Sequence, residues 1–131
     1  MKLINGVPIA SFSEFSNKLE VRSASFQLVS DFTLDSTSDG INPLTEVVTL
    51  VVGSYAVTIR PGLFHQNSEG YYSYEGTIEG EHLELRIVPN TRTSYTLNAE
   101  GSGVPITLGK SPGVVLMIGN DMGAGAASLD D

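Results

Sequence analysis

Residues 45–62 read TEVVTLVVGSYAVTIRPG, and the alternation within this stretch decides the fold class. If Gly53 and Ser54 form a two-residue turn of type II′, Val52 faces Tyr55, Leu50 faces Val57 and Val48 faces Ile59. One face of the ribbon is then wholly apolar. The other face pairs Val51 with Ala56, Thr49 with Thr58 and Val47 with Arg60, a mixed surface suited to partial exposure. A slip of one residue would turn the apolar row toward water, so the pattern specifies its own register.

Residues 71–89, YYSYEGTIEGEHLELRIVP, repeat the design. With Glu79 and Gly80 at the turn, Tyr74 meets Leu85, Tyr72 meets Ile87, and Gly76 lies beside Leu83. On the outside stand Thr77 with His82, Glu75 with Glu84 and Ser73 with Arg86. The facing glutamates repel unless Arg86 or a cation lies between them. Further strands are predicted at 18–28, around 31–34, at 94–99 (Tyr95, Leu97 and Ala99 inward) and at 113–118, about seven or eight in all. No helical period extends over ten residues, which leaves a helix only at the ends or in FSEFS (12–16). A sheet so apolar on one side must cover that side. The expectation is an all-β fold, a two-sheet antiparallel β-sandwich in a single domain 1–131, with its core over about 17–121. A peripheral segment 1–16 and a flexible tail 122–131 flank it.

A chain of 131 residues with 40% hydrophobic and 17% charged residues is sized and composed for one folded domain. It has no cysteine, so disulfides play no part and the redox compartment stays open. Fifteen acidic against seven basic residues give a formal charge of −8, which disfavours nucleic acid and anionic membrane surfaces as partners. MKLINGVPIASFSEF, broken by Pro8 and Glu14, has no long apolar stretch of a signal peptide. No run approaches the ~20 apolar residues of a membrane span.

From about residue 18 to 123, the order SDGINPLTEVVTLVVGSYAVTI, YYSYEGTIEGEHLELRIVP, YTLNAEGSG and VVLMIGND resembles a β-rich module that recurs as a repeat in larger, exported bacterial proteins. The resemblance implies a β-sandwich building block in an extracellular or cell-surface setting. It implies no catalytic residue.

The sharpest chemical signal is DSTSDGINPLTE (35–46). Asp35, Thr37, Asp39, Gly40 and Glu46 take positions 1, 3, 5, 6 and 12 of an EF-hand calcium loop, and the Ile41 carbonyl would be a further ligand. Strand-like flanks and Asn42 at the eighth position depart from that pattern. The competing reading is a plain connector, with Asp39 and Gly40 in a turn and Asn42 extended before Pro43. In IGND (118–121), Asn120 and Asp121 either join the same end of the fold or only close a strand.

Catalytic signals are thin. His65 and His82 are the two imidazoles, and without cysteine or a close histidine pair they predict no zinc site. His82, beside Glu81 and Glu84, reads as a solvated strand face. No serine sits in a nucleophile elbow, and Glu75 with Glu84 on a flat face lacks the cleft of a glycosidase. Alternation buries Tyr72, Tyr74 and Tyr95 and leaves Tyr71 outward, a poor platform for sugar. The residues predict a non-catalytic structural or adhesive module without a required cofactor, stabilised by calcium if the 35–46 loop binds it. The alternative is a carbohydrate or small-ligand domain using the loops 35–46 and 62–70. A cell-surface or glycan partner fits either reading. Homo-oligomers would form through an edge strand, with uncharged GVVLMIG (113–119) as the candidate unless it is an inner strand.

Overall fold

The structure is a computed structural model and describes residues 3–4, 7–8, 10–22, 25–36, 38, 40–78, 80–103 and 113–129. All of its regular structure is strand: β1 (Leu3–Ile4), β2 (Val7–Pro8), β3 (Ala10–Ser11), β4 (Glu14–Arg22), β5 (Ser25–Thr33), β6 (Val48–Val52), β7 (Tyr55–Ile59), β8 (His65–Gln66), β9 (Tyr72–Ile78), β10 (Glu81–Pro89), β11 (Ser94–Ser102), β12 (Gly113–Ile118), β13 (Asp121–Ala126) and β14 (Ser128–Leu129). Seven strands make one sheet in the order β14-β4-β5-β11-β10-β9-β8, five make a second in the order β3-β13-β12-β6-β7, and β1 with β2 forms a separate ribbon. Pairing is antiparallel except at two short ladders. Ala10 and Ser11 of β3 run parallel to Asp121 and Met122 of β13, and Lys18 and Leu19 of β4 run parallel to Ser128 and Leu129 of β14.

Both hairpins have the register that alternation dictates. Val48, Leu50 and Val52 pair with Ile59, Val57 and Tyr55, and Tyr72, Tyr74 and Gly76 pair with Ile87, Leu85 and Leu83. Gly53, with φ of 58°, and Gly80, with φ of 83°, supply the left-handed backbone that such turns require. Across the seven-stranded sheet, Leu19, Leu28, Ala99, Leu85 and Tyr74 stand in one cross-strand row, and all five are buried. Burying each leucine contributes about 1.5–3 kcal/mol.

Side chains of both sheets belong to one buried cluster, in which Val48, Leu50, Leu116 and Ile118 join that row. Phe26 of β5 meets Tyr55 of β7 with ring centroids 5.6 Å apart, a contact between the two sheets that is consistent with a sandwich. At one side, β13 lies against β4. There a Cβ on Gly123 would collide with the rings of Phe12 and Phe15. The glycine thus makes room for two aromatics, and Phe12 stacks in turn on Phe32 at 4.7 Å.

Several expectations are corrected. Fourteen strands are described rather than seven or eight, because two-residue ladders at the periphery carry too little pattern to be read. Residues 18–28 are not one strand: Leu19 pairs with Leu28 and Val21 with Phe26. The apolar phase changes from odd to even positions between them, the mark of a hairpin whose tip, 23–24, lies outside the described residues. FSEFS leads into β4 rather than a helix. The strands run beyond the expected core bounds of 17 and 121, since β4 begins at Glu14 and β13 ends at Ala126. Finally, β12 lies between β13 and β6, so both backbone edges of GVVLMIG are engaged within the chain and it offers no edge for self-association.

Candidate functional site

The 35–46 loop carries the chain from the seven-stranded sheet to the five-stranded one, and its hydrogen bonds are those of a latched connector. Asn42 caps a turn: its carbonyl accepts the Thr45 and Glu46 amides at 3.0 and 2.9 Å, and its side-chain Oδ1 accepts the Leu44 amide at 3.1 Å. Glu46 reaches back so that Oε1 accepts the Asn42 amide at 2.6 Å. Its Oε2 lies where a Cβ on Gly119 would stand, and the Gly119 amide donates to the Val47 carbonyl at 2.9 Å. The 118–121 turn is therefore brought to this end of the fold, where Asp121 is fully buried. Of the residues read as calcium ligands, Asp35, Ile41 and Glu46 are half-buried. Thr37 and Asp39 lie outside the described residues. Pro43 is buried, and Ile41 and Leu44 pack against the core, which anchors the loop by its apolar residues.

A second constellation lies on the outward face of the seven-stranded sheet. One residue out of step with the buried row, Glu20, Gln27, Glu100, Glu84 and Glu75 form a cross-strand row of their own. Arg22 neutralises one end, with Nε 2.7 Å from Glu20 Oε1. Glu84 faces a glutamate on each side, Glu100 and Glu75, an arrangement that destabilises by like-charge repulsion. His82, in the neighbouring row, directs Nε2 to within 3.3 Å of Glu75 Oε2 and 3.4 Å of Glu84 Oε1. Its Nδ1 lies 3.4 Å from Thr77 Oγ1. Among the described residues, Glu75, His82 and Glu84 are the group of three or more metal-ligating side chains that converges, with ligand atoms within 4.8 Å of one another.

Depressions on this face include two beside these residues. One, of about 340 Å³, is lined by residues including Arg22, Phe26, His82, Glu84 and Glu100. The other, of about 730 Å³, includes His65, Glu75, Arg86 and Asn98. His65 of β8 pairs with Ser73 of β9, whereas His82 of β10 pairs with Thr77 of β9, so the two imidazoles flank β9 at positions four residues apart. Tyr71, expected outward, is half-buried, as are Tyr72 and Tyr95, while Tyr74 is buried. Burial raises the Tyr55 and Tyr95 hydroxyl pKa values above their ordinary range, with Glu81 adding to the rise at Tyr55 and Tyr72 and Asp121 adding at Tyr95.

Alternation placed Glu75 against Glu84, but His82 read as a solvated strand residue. The signal that joins all three is the register itself: Thr77 faces His82, so the imidazole stands one row from both carboxylates. Comparison of the chain with protein-family models, curated proteins and solved structures finds no match in any of the three.

Proposed function

We propose that the chain is a non-catalytic structural or adhesive β-sandwich module of a bacterial surface, secreted or filament-forming protein. The division of labour between the two faces of the seven-stranded sheet supports this reading. Inward side chains fill a shared core, while the polar groups that could recognise a partner stand on an open sheet face, reachable by a macromolecule. Backbone-mediated self-association, within this proposal, uses β7. It is an edge of the five-stranded sheet among the described residues, and its sequence YAVTI carries no charge.

Mass photometry over a concentration series tests the self-association. A dimer that disappears in Thr58→Pro, with an unchanged fold by circular dichroism, is the expected result. A strict monomer at high concentration removes it. Beads coated with the module and presented to cell surfaces and glycan arrays test adhesion. Chelator-sensitive glycan retention would favour the carbohydrate reading instead, and retention on neither surface defeats both.

Calcium at the 35–46 loop is the subsidiary part of the proposal, as a clip rather than a signal. One Glu46 oxygen accepts the Asn42 amide, a contact that the ion would supplement rather than replace. Millimolar calcium should add only about 1–2 kcal/mol. Thermal melts with calcium and with EDTA check this against Asp39→Ala. Identical midpoints in all conditions leave the loop a connector.

A further inference from the structure

We infer that Glu75, His82 and Glu84 form a binding site for a divalent transition-metal ion of the zinc class, on the outward face of the β9–β10 hairpin. The distances carry the inference. Two donors each held about 2.0–2.1 Å from a tetrahedral centre stand about 3.3–3.4 Å apart. His82 Nε2 is 3.3 Å from Glu75 Oε2 and 3.4 Å from Glu84 Oε1, so two edges of such a tetrahedron are already drawn. The two carboxylate oxygens close the third within 4.8 Å, a gap that carboxylate rotation can narrow.

Both oxygens converge on one ring nitrogen, and a single N–H can be donated to only one of them. A cation on the Nε2 lone pair serves both. The other ring nitrogen is compatible with that tautomer: Nδ1 lies 3.4 Å from Thr77 Oγ1, a hydroxyl that can accept its proton, as the outer partners of metal-bound imidazoles commonly do. The charge balance points the same way. Glu84 has carboxylates opposite it on both neighbouring strands, while Glu20 has Arg22. A divalent ion would relieve that repulsion on a hairpin whose register is fixed by the buried row beneath.

The donor set selects the metal. Calcium takes six to eight oxygens, whereas an imidazole nitrogen with carboxylates suits zinc, nickel, copper or cobalt. With side chains 41% (His82), 65% (Glu75) and 51% (Glu84) exposed, the remaining coordination position faces water. The site is independent of the adhesive reading, since a module that retains no surface partner would still bind the ion.

Calorimetric titration of the full chain with zinc chloride in a non-coordinating buffer tests the site. One equivalent should bind. His82→Ala, and separately Glu75→Gln with Glu84→Gln, should each weaken binding at least about tenfold, whereas His65→Ala should leave it unchanged. Cobalt(II) in place of zinc should give a tetrahedral visible spectrum that vanishes in His82→Ala and survives a large excess of calcium. Because all three side chains are exposed, metal-free melts of the variants should show that the fold persists. No zinc uptake by the wild-type chain overturns the proposal. So does His82→Ala binding as tightly as wild type, or an equal loss in His65→Ala.

Discussion

The buried row Leu19, Leu28, Ala99, Leu85, Tyr74 and the exposed row Glu20, Gln27, Glu100, Glu84, Glu75 lie on the same five strands, one residue apart. The first is buried and sets the register of these five strands. The second inherits that register without having chosen it. Glu75 on one strand of the hairpin and His82 and Glu84 on the other become neighbours because the apolar residues beneath them fix its register. A fold can therefore assemble a polar constellation at little cost, since the apolar side of the sheet has already done the positioning.

The comparison can be broken most directly by truncating each row in turn. Leu28→Ala should lower stability by about 2–5 kcal/mol through lost burial and a residual cavity. Gln27→Ala, its exposed neighbour, should stay within about 0.5 kcal/mol. Urea unfolding measures both, and equal losses would mean that the two rows do not differ as described. Next in size is Gly101→Val on β11. A Cβ there would run into the Phe26 ring, so overpacking should cost about 1–3 kcal/mol, with Phe26→Leu recovering part of it.

On the outer row the sign reverses. In EDTA, Glu84→Gln should stabilise by about 0.2–1 kcal/mol because a carboxylate flanked by two others is removed, and salt should shrink the gain. A loss of stability would show that the row is not repulsive. The smallest effect concerns Tyr55 and Tyr95, whose hydroxyls are raised chiefly by burial. The unfolded chain then releases those protons first, so their contribution is intact below the ordinary tyrosine value and is lost as pH rises through the folded one. Ultraviolet titration should show these two hydroxyls ionising above the ordinary tyrosine range, together with a weak alkaline decline in stability.

Both hairpins with glycine turns were legible in the sequence down to individual pairs, because alternation and a two-residue turn over-determine register. The hairpin of β4 and β5 was not, although Leu19 and Val21 followed by Phe26 and Leu28 record the change of phase. Its tip, Ser23–Ala24, has neither glycine nor proline to announce a turn. The strand β13 was hidden by MGAGAAS, where small residues suggest slack chain. Among them, Gly123 makes room for the rings of Phe12 and Phe15, a long-range fact that local pattern does not contain. Facing glutamates were visible for the same reason the hairpin was. The convergence of His82 on both depends on side-chain reach across rows, which alternation leaves open. The calcium spacing at 35–46 is clear in the letters, whereas the bond from the Asn42 amide to Glu46 depends on side-chain reach that the letters do not contain.

The two parallel ladders, β3 with β13 and β4 with β14, have a mechanical consequence. Early and late segments of the chain lie side by side and run in the same direction, once in each sheet. Tension entering ahead of β3 and leaving after β14 would drag each pair lengthwise past its neighbour, loading its bonds in shear rather than peeling them one at a time. For a domain strung within a taut tether, that orientation makes two of the two-residue ladders the ones that bear the first pull.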